Sequence, residues 1–236
     1  TARFTAVFTM QAKHQRQQTM TDARRALVLD AARAVFSEAG IEGASIREIA
    51  KKAGYTPGAI YSYFDSKESI YGALLGESLE RLNGAVETAR VVKNRPDKTL
   101  QSKAQAWFDF YAANPRDLDL GFYLVRGMHP RGLTSELNSR LNERLHDALR
   151  PCEAALRAMG LSPGEAMRET TALFAHGVGL LLLQLTGRIR MFGHSGPALF
   201  KRYVEQLAAR CASDRAQAGV DGDEQAPASP PQVDLF

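Results

Sequence analysis

Apolar residues recur along this chain at intervals of three and four, and no segment shows the sustained alternation that marks strands. The spacing therefore predicts an all-α fold. Val28, Ala31, Ala32, Val35, Phe36 and Ala39 share one face of a first helix from Thr21, which Gly40 stops. Ile46, Ile49, Ala50 and Ala53 mark a second helix. A third begins at Pro57 and ends near Phe64, and a fourth, capped by Asp65 or Ser66, runs toward Val86. Further helices are expected on Leu100 to Tyr111, on Leu118 to Val125, on Leu137 to Leu156 with Pro151 kinking or dividing it, on Pro163 to about Gly187, and on Pro197 to about Ala212.

The 236 residues hold enough apolar material, 44% of positions, for a substantial core. The longest apolar run, Ala172 to Leu185, is interrupted by His176, Gly177, Gly179 and Gln184 and falls short of the ~20 residues a bilayer span needs. Residues 1–19 lack the apolar centre of a secretory signal, and Cys152 and Cys211 are the two cysteines, so a cytoplasmic protein with reduced thiols and no membrane partner is expected. The net charge of +4 divides unevenly. Five acids against one base from Ala212 onward leave +8 on residues 1–211. A basic body favours anionic partners, although an excess of this size discriminates weakly. The polar, Pro- and Gly-rich end (213–236) reads as a disordered acidic tail, and residues 1–20 as a flexible extension.

The local signals are densest between Ser45 and Lys67. In Ser45-Ile46-Arg47-Glu48 the hydroxyl can cap a backbone N–H three residues on while Glu48 reaches back, which is a capping box. Thr56 caps the next helix with Pro57 at its first position, where a missing N–H is harmless. Between the two helices lie Gly54, Tyr55 and Thr56, a three-residue turn that sets the second helix across the first, with Ala50 small at the crossing and Ile49 and Ile60 packing the angle. Such an elbow is either an ordinary helical corner or a helix-turn-helix whose second helix enters a DNA groove.

The residues Ala32-xxx-Phe36-xxx-Gly40, Ile49-Ala50-xx-Ala53-Gly54, Thr56-Pro57-Gly58-Ala59-Ile60-Tyr61-Ser62-Tyr63-Phe64 and Lys67-Glu68 resemble the N-terminal domain of the TetR family of transcriptional regulators, over positions 21 to about 70. Tyr55 departs from the aliphatic residue usual there. The resemblance implies a homodimer on double-stranded DNA, with a helix-turn-helix domain at 21–68 and an effector-binding and dimerisation body at 69–212. It implies a repressor released by an unidentified small-molecule effector, with no other cofactor. Thr56, Pro57, Gly58 and Tyr61 sit where the family presents its recognition helix to the major groove, and Gly58 permits close approach of backbone to DNA. Tyr61 and Tyr63, two apart, face different partners: groove for the first, and phosphate or the protein core for the second. Lys67, at the start of the fourth helix, suits a phosphate. Ser45 could reach a phosphate, and Arg47 is read either as a base-edge contact or as a solvated arginine. Pro57 to Tyr63 contains no Arg, Lys, Asn or Gln, so bidentate base contacts come from elsewhere or are absent, and thymine methyls and DNA shape carry more weight. Arg3, Lys13 and Arg16 are read either as a minor-groove arm or as part of a floppy extension.

In the body, Trp107, Tyr111, Phe122, Tyr123 and Phe174 are core residues or effector-pocket walls, with His129 and His176 as polar candidates beside them. Leu180, Leu183, Phe200, Tyr203, Val204 and Leu207 on the last two helices are candidates for a four-helix dimer interface, against the alternative of a monomer core. No metal-ligand spacing, phosphate-cradling glycine loop or G-x-S-x-G elbow appears, so an enzyme is not expected. Gln232-Val233-Asp234-Leu235-Phe236 is similar to the peptides by which bacterial proteins dock on the replication sliding clamp, a second possible partner beside the reading of an idle tail.

Overall fold

The computed structural model describes the backbone of residues 2–122 and 134–221 and the side chains of residues 14–122 and 134–213. Among the described residues there are nine α-helices, one 3-10 helix and no strand, so the fold is all-α. The helices are α1 (Ala2–Gly43), α2 (Ile46–Ala53), α3 (Pro57–Ile60), α4 (Lys67–Thr88), α5 (Pro96–Ala113), α6 (Pro115–Phe122), α7 (Ser135–Ala158), α8 (Pro163–Leu185) and α9 (Gly196–Asp221). The 3-10 turn Arg188–Phe192 lies between the last two.

Two compact units arise, each gathering segments distant in sequence. One holds α1 to α3, α4 as far as Leu82, α6 and the beginning of α7. Val28, Ala32 and Phe36 of α1 are buried as their spacing requires, and the Phe36 ring meets Tyr71 edge-on at 5.7 Å. The Tyr71 hydroxyl donates to the Leu120 carbonyl, and Arg144 reaches Glu80 at 2.9 Å. Gly40 takes φ 67°, breaking α1 near the expected place, but helical backbone resumes to Gly43. The helix also begins far earlier than Thr21. No Gly or Pro stands before residue 40, so helical backbone propagates back from the packed turns, and residues 2–20, expected as a flexible extension, carry it.

The other unit comprises the end of α4, α5, the rest of α7, α8 and α9. Its centre is aromatic. Trp107 meets Tyr111 at 5.4 Å and Phe174 at 5.6 Å, and Phe108 stacks on Phe200 at 4.5 Å. Gly177 lies against this cluster so closely that a Cβ there would come within 2.6 Å of the Trp107 ring. The Lys103 side chain is buried, and its ammonium donates to the carbonyls of Val86 and Glu87 at 2.8 Å each, closing the last turn of α4. Pro151 does not divide α7, which continues to Ala158, and α9 extends beyond Ala212 to Asp221. Cys152 and Cys211 are free and buried. Burial pushes the Cys152 thiol up to about 12, with Lys103 pulling weakly the other way. Among the described residues no helix is long and apolar enough to cross a membrane, and no three metal-binding side chains come together.

Candidate DNA interface

The elbow forms for reasons local to it. Ser45 is extended, its Oγ accepts from the Glu48 N–H at 3.2 Å, and Glu48 Oε2 accepts from the Ser45 N–H at 2.9 Å, so both halves of the capping box are made. Gly54 ends α2 in the left-handed region at φ 73°, where the Tyr55 N–H reaches back to the Ala50 carbonyl at 2.9 Å. Thr56 Oγ1 then accepts from the Ala59 N–H at 3.3 Å and opens α3. Ile49, Ala50 and Ile60 are completely buried where the helices cross. The α-helical part of α3 is only four residues, but Tyr63 and Phe64 continue its turn by donating to the Ile60 carbonyl at 2.9 and 3.0 Å.

This packing sorts the candidates. Thr56, Pro57, Gly58 and Tyr61 form one exposed surface, and the Tyr61 ring is 56% exposed at the end of α3. Nothing in the protein comes within 4 Å of where a Gly58 Cβ would stand. Arg47 is exposed on α2, and Tyr63 is half-buried. The Arg25 guanidinium lies over the buried Phe64 ring, 4.8 Å from its centroid, and ties α1 to the end of the elbow.

Two expected phosphate contacts are already engaged inside the fold. The Ser45 hydroxyl donates to Glu48 Oε2 at 2.8 Å, so its proton is directed inward. The Lys67 ammonium donates to the carbonyls of Ala44 at 3.1 Å and Glu42 at 3.3 Å, holding the end of α1 against the start of α4. At the start of α4 the cap is Ser66, whose Oγ accepts from the Ser69 N–H at 3.1 Å. Thr56 contrasts with Ser45, because its Oγ1 only accepts and its hydroxyl proton remains available. Lys51, exposed on the last turn of α2, is a cation that sequence reasoning passed over, whereas its neighbour Lys52 pairs with Glu38 at 2.8 Å. The signal was the basic end of α2 beside the turn.

The effector candidates divide. Trp107, Tyr111 and Phe174 come together in the aromatic cluster, and Phe122 is half-buried at the end of α6. His176 stacks instead on Tyr203, with centroids 4.1 Å apart. Burial lowers the His176 pKa and raises that of Tyr203, where nearby Glu169 adds to the rise. Tyr123, His129 and the 232–236 peptide lie outside the described residues.

Of the dimer candidates, Leu180, Phe200, Val204 and Leu207 are buried within their own unit, so they present no surface to a second copy. Leu183 and Tyr203 are half-exposed, and the outer stripe of α8 consists of Thr171, Ala175, Val178 and Leu182. A 3.6-residue period finds an apolar face but does not say whether its own chain or a copy covers it.

Residues 28–74 match the family model described as bacterial regulatory proteins, tetR family. Over 81 residues the chain is 36% identical to the HTH-type transcriptional repressor AcnR of Corynebacterium diphtheriae, covering 32% of this chain and 43% of that protein. The matches span less than half the length of the first curated relatives. The fold is similar to that of a TetR-family regulatory protein from Rhodococcus RHA1, with TM-score 0.60, 21% identity and coverage of 80% of this chain and 96% of that one. It is similar also to the transcriptional regulator FadR of Bacillus subtilis, solved in complex with stearoyl-CoA, with TM-score 0.56, 22% identity and coverage of 77% and 96%. At these identities the likeness to the solved structures is one of fold.

Proposed function

We propose, from the premise that this chain is a transcriptional regulator of the TetR family with its helix-turn-helix domain at residues 28–74, that it is a dimeric repressor which a small molecule releases from its operator. A regulator of this family works by binding and is not an enzyme. The start of α3, with Thr56, Pro57, Gly58 and Tyr61, enters the major groove, and Arg47 and Lys51 approach from α2. The observation that carries this reading is Gly58. No neighbour in the protein excludes a side chain there, so a demand for glycine comes from outside the fold, as close approach of a DNA backbone would impose. Acting on DNA places the working protein in the cytoplasm.

A second copy packs on the outer stripe of α8, where Ala172, Ala175 and Gly179 allow near approach of backbones. Two recognition helices then read half-sites roughly 34–36 Å apart. The effector binds within the body and favours a shape with a different spacing of the two heads, with coupling of about 1–3 kcal/mol, or roughly 5- to 150-fold in affinity. That FadR was solved with stearoyl-CoA supports a small-molecule effector here as a class. Selection of bound fragments from random DNA tests the proposal. A twofold-symmetric site is expected, and recovery of unrelated sequences without symmetry would overturn it.

A second reading concerns the tail. Gln232-Val233-Asp234-Leu235-Phe236 follows an acidic, Pro-containing stretch and places two hydrophobic anchors beyond a polar segment, which suits a groove on the sliding clamp. Deletion of residues 232–236 should abolish clamp binding, and equal binding by the shortened chain would refute it.

A further inference from the structure

The centre of the second unit contains a polar atom that the fold leaves unanswered. Trp107 is completely buried, and its indole nitrogen has no hydrogen-bond partner. The ring cannot swing out to find one, because Tyr111 and Phe174 meet it edge-on, Phe200 lies at 6.3 Å, and the backbone at Gly177 touches its far edge. An indole N–H donates only, and a buried donor without an acceptor is unfavourable. Phenylalanine would fill an aromatic core without that defect.

The charge of the surroundings limits what could answer the donor. The cation nearest in sequence on the same face of α5 is Lys103, one turn earlier, and its ammonium is already engaged by the carbonyls of Val86 and Glu87 at 2.8 Å each. A carboxylate or phosphate brought to the indole would meet aromatic edges and no uncommitted ammonium there. A neutral carbonyl, ether or hydroxyl oxygen carries a far smaller desolvation penalty.

We propose that the indole N–H of Trp107 is the polar anchor for an uncharged, predominantly apolar effector bearing a hydrogen-bond acceptor, held among Tyr111, Phe174 and Phe200. This rests on the reading of the body as an effector-binding unit and names the chemistry it selects. The aromatic rings supply dispersion and exclude water, and the single N–H fixes the orientation of the ligand. In such a site an acceptor-free analogue of the same shape leaves the donor unanswered and binds more weakly.

Trp107 is the only tryptophan of the chain, so its indole N–H gives a single side-chain resonance in a 15N-labelled full-length sample. The probes are acetophenone, ethylbenzene and benzoate, which share a ring and differ in carrying a neutral acceptor, no acceptor and a negative charge. Acetophenone should move the indole proton downfield in a saturable way and bind at least fivefold tighter than either other probe by calorimetry. Trp107→Phe should bring acetophenone down to the affinity of ethylbenzene while leaving ethylbenzene within about twofold. An unmoved indole resonance, equal affinity for ketone and hydrocarbon, or tightest binding of benzoate would overturn the proposal. Should Trp107→Phe fail to fold, the wild-type probe series decides alone. DNA titrations run alongside separate this inference from the broader reading. A compound that releases DNA without disturbing the indole refutes the anchor alone, whereas acetophenone binding at the indole with DNA affinity unchanged supports the anchor and counts against release.

Discussion

Gly58→Ala should push folding and DNA binding in opposite directions. Gly58 is the second residue of α3, has no positive φ, and leaves a Cβ no protein atom within 4 Å. Inside the fold the added methyl therefore meets no clash, and alanine loses less backbone entropy than glycine on entering a helix, an advantage of about 0.5–1 kcal/mol in helix interiors. Position in the first turn puts Gly58 at the lower end of that range. On DNA the same methyl occupies the space that close backbone contact requires. Overfilling a packed contact costs about 1–3 kcal/mol, so affinity for a half-site should fall roughly 5- to 150-fold. Thermal unfolding followed by circular dichroism should give a Tm equal to or slightly above that of the parent. Fluorescence anisotropy with the selected operator should show the loss. An unchanged operator affinity would refute the placement of α3 in the groove, and a clear fall in Tm would refute the argument from open space.

Three other outcomes follow from particular contacts. Lys67→Ala removes a donor shared by the carbonyls of Glu42 and Ala44, so stability should fall by about 1 kcal/mol, or roughly 2–4 °C in Tm. The salt dependence of operator binding should also flatten by about one unit if the remaining N–H meets a phosphate, and an unchanged slope would assign Lys67 to the fold alone. The Cys152 thiol, pushed up to about 12 and fully buried, should resist a thiol-specific disulfide reagent at pH 8 until the protein is denatured, and rapid native reaction would contradict its burial. Burial depresses the pKa of His176, so as the pH falls below its ordinary value of about 6.5 the unfolded chain takes the proton first and stability declines, with no such effect above it. Tm measured from pH 7.5 to 5.5 should fall more for the parent than for His176→Phe, and parallel curves would dispose of the argument.

What the sequence disclosed was mostly what a few neighbouring residues decide among themselves. The capping box at Ser45 and Glu48, the Thr56-Pro57 start and the turn at Gly54 need no distant partner, and all are present in the structure. A second capping box, at Ser162 and Glu165, opens α8 in the same way. Helix ends without such signals were harder to read: α1 reaches back to Ala2 because nothing breaks it, and α9 passes Ala212 for the same reason. Long-range engagement was hidden. Lys103 shares an apolar face with Leu100 and Trp107, yet only the fold brings the end of α4 to its ammonium. Lys67 and Ser45 likewise looked available because their internal partners are not apparent from spacing alone.

The brevity of α3 and its want of guanidinium or amide groups through Tyr63 bear on how such a regulator's targets evolve. Arginine and asparagine fasten on single letters, and one transition at such a letter can end control. A probe made of a methyl, a proline ring and a phenol attends more to the local stiffness and groove width of the duplex, which many spellings share. Promoters can then wander in spelling while remaining under one regulator, and newly arrived genes need the right mechanics more than the right text.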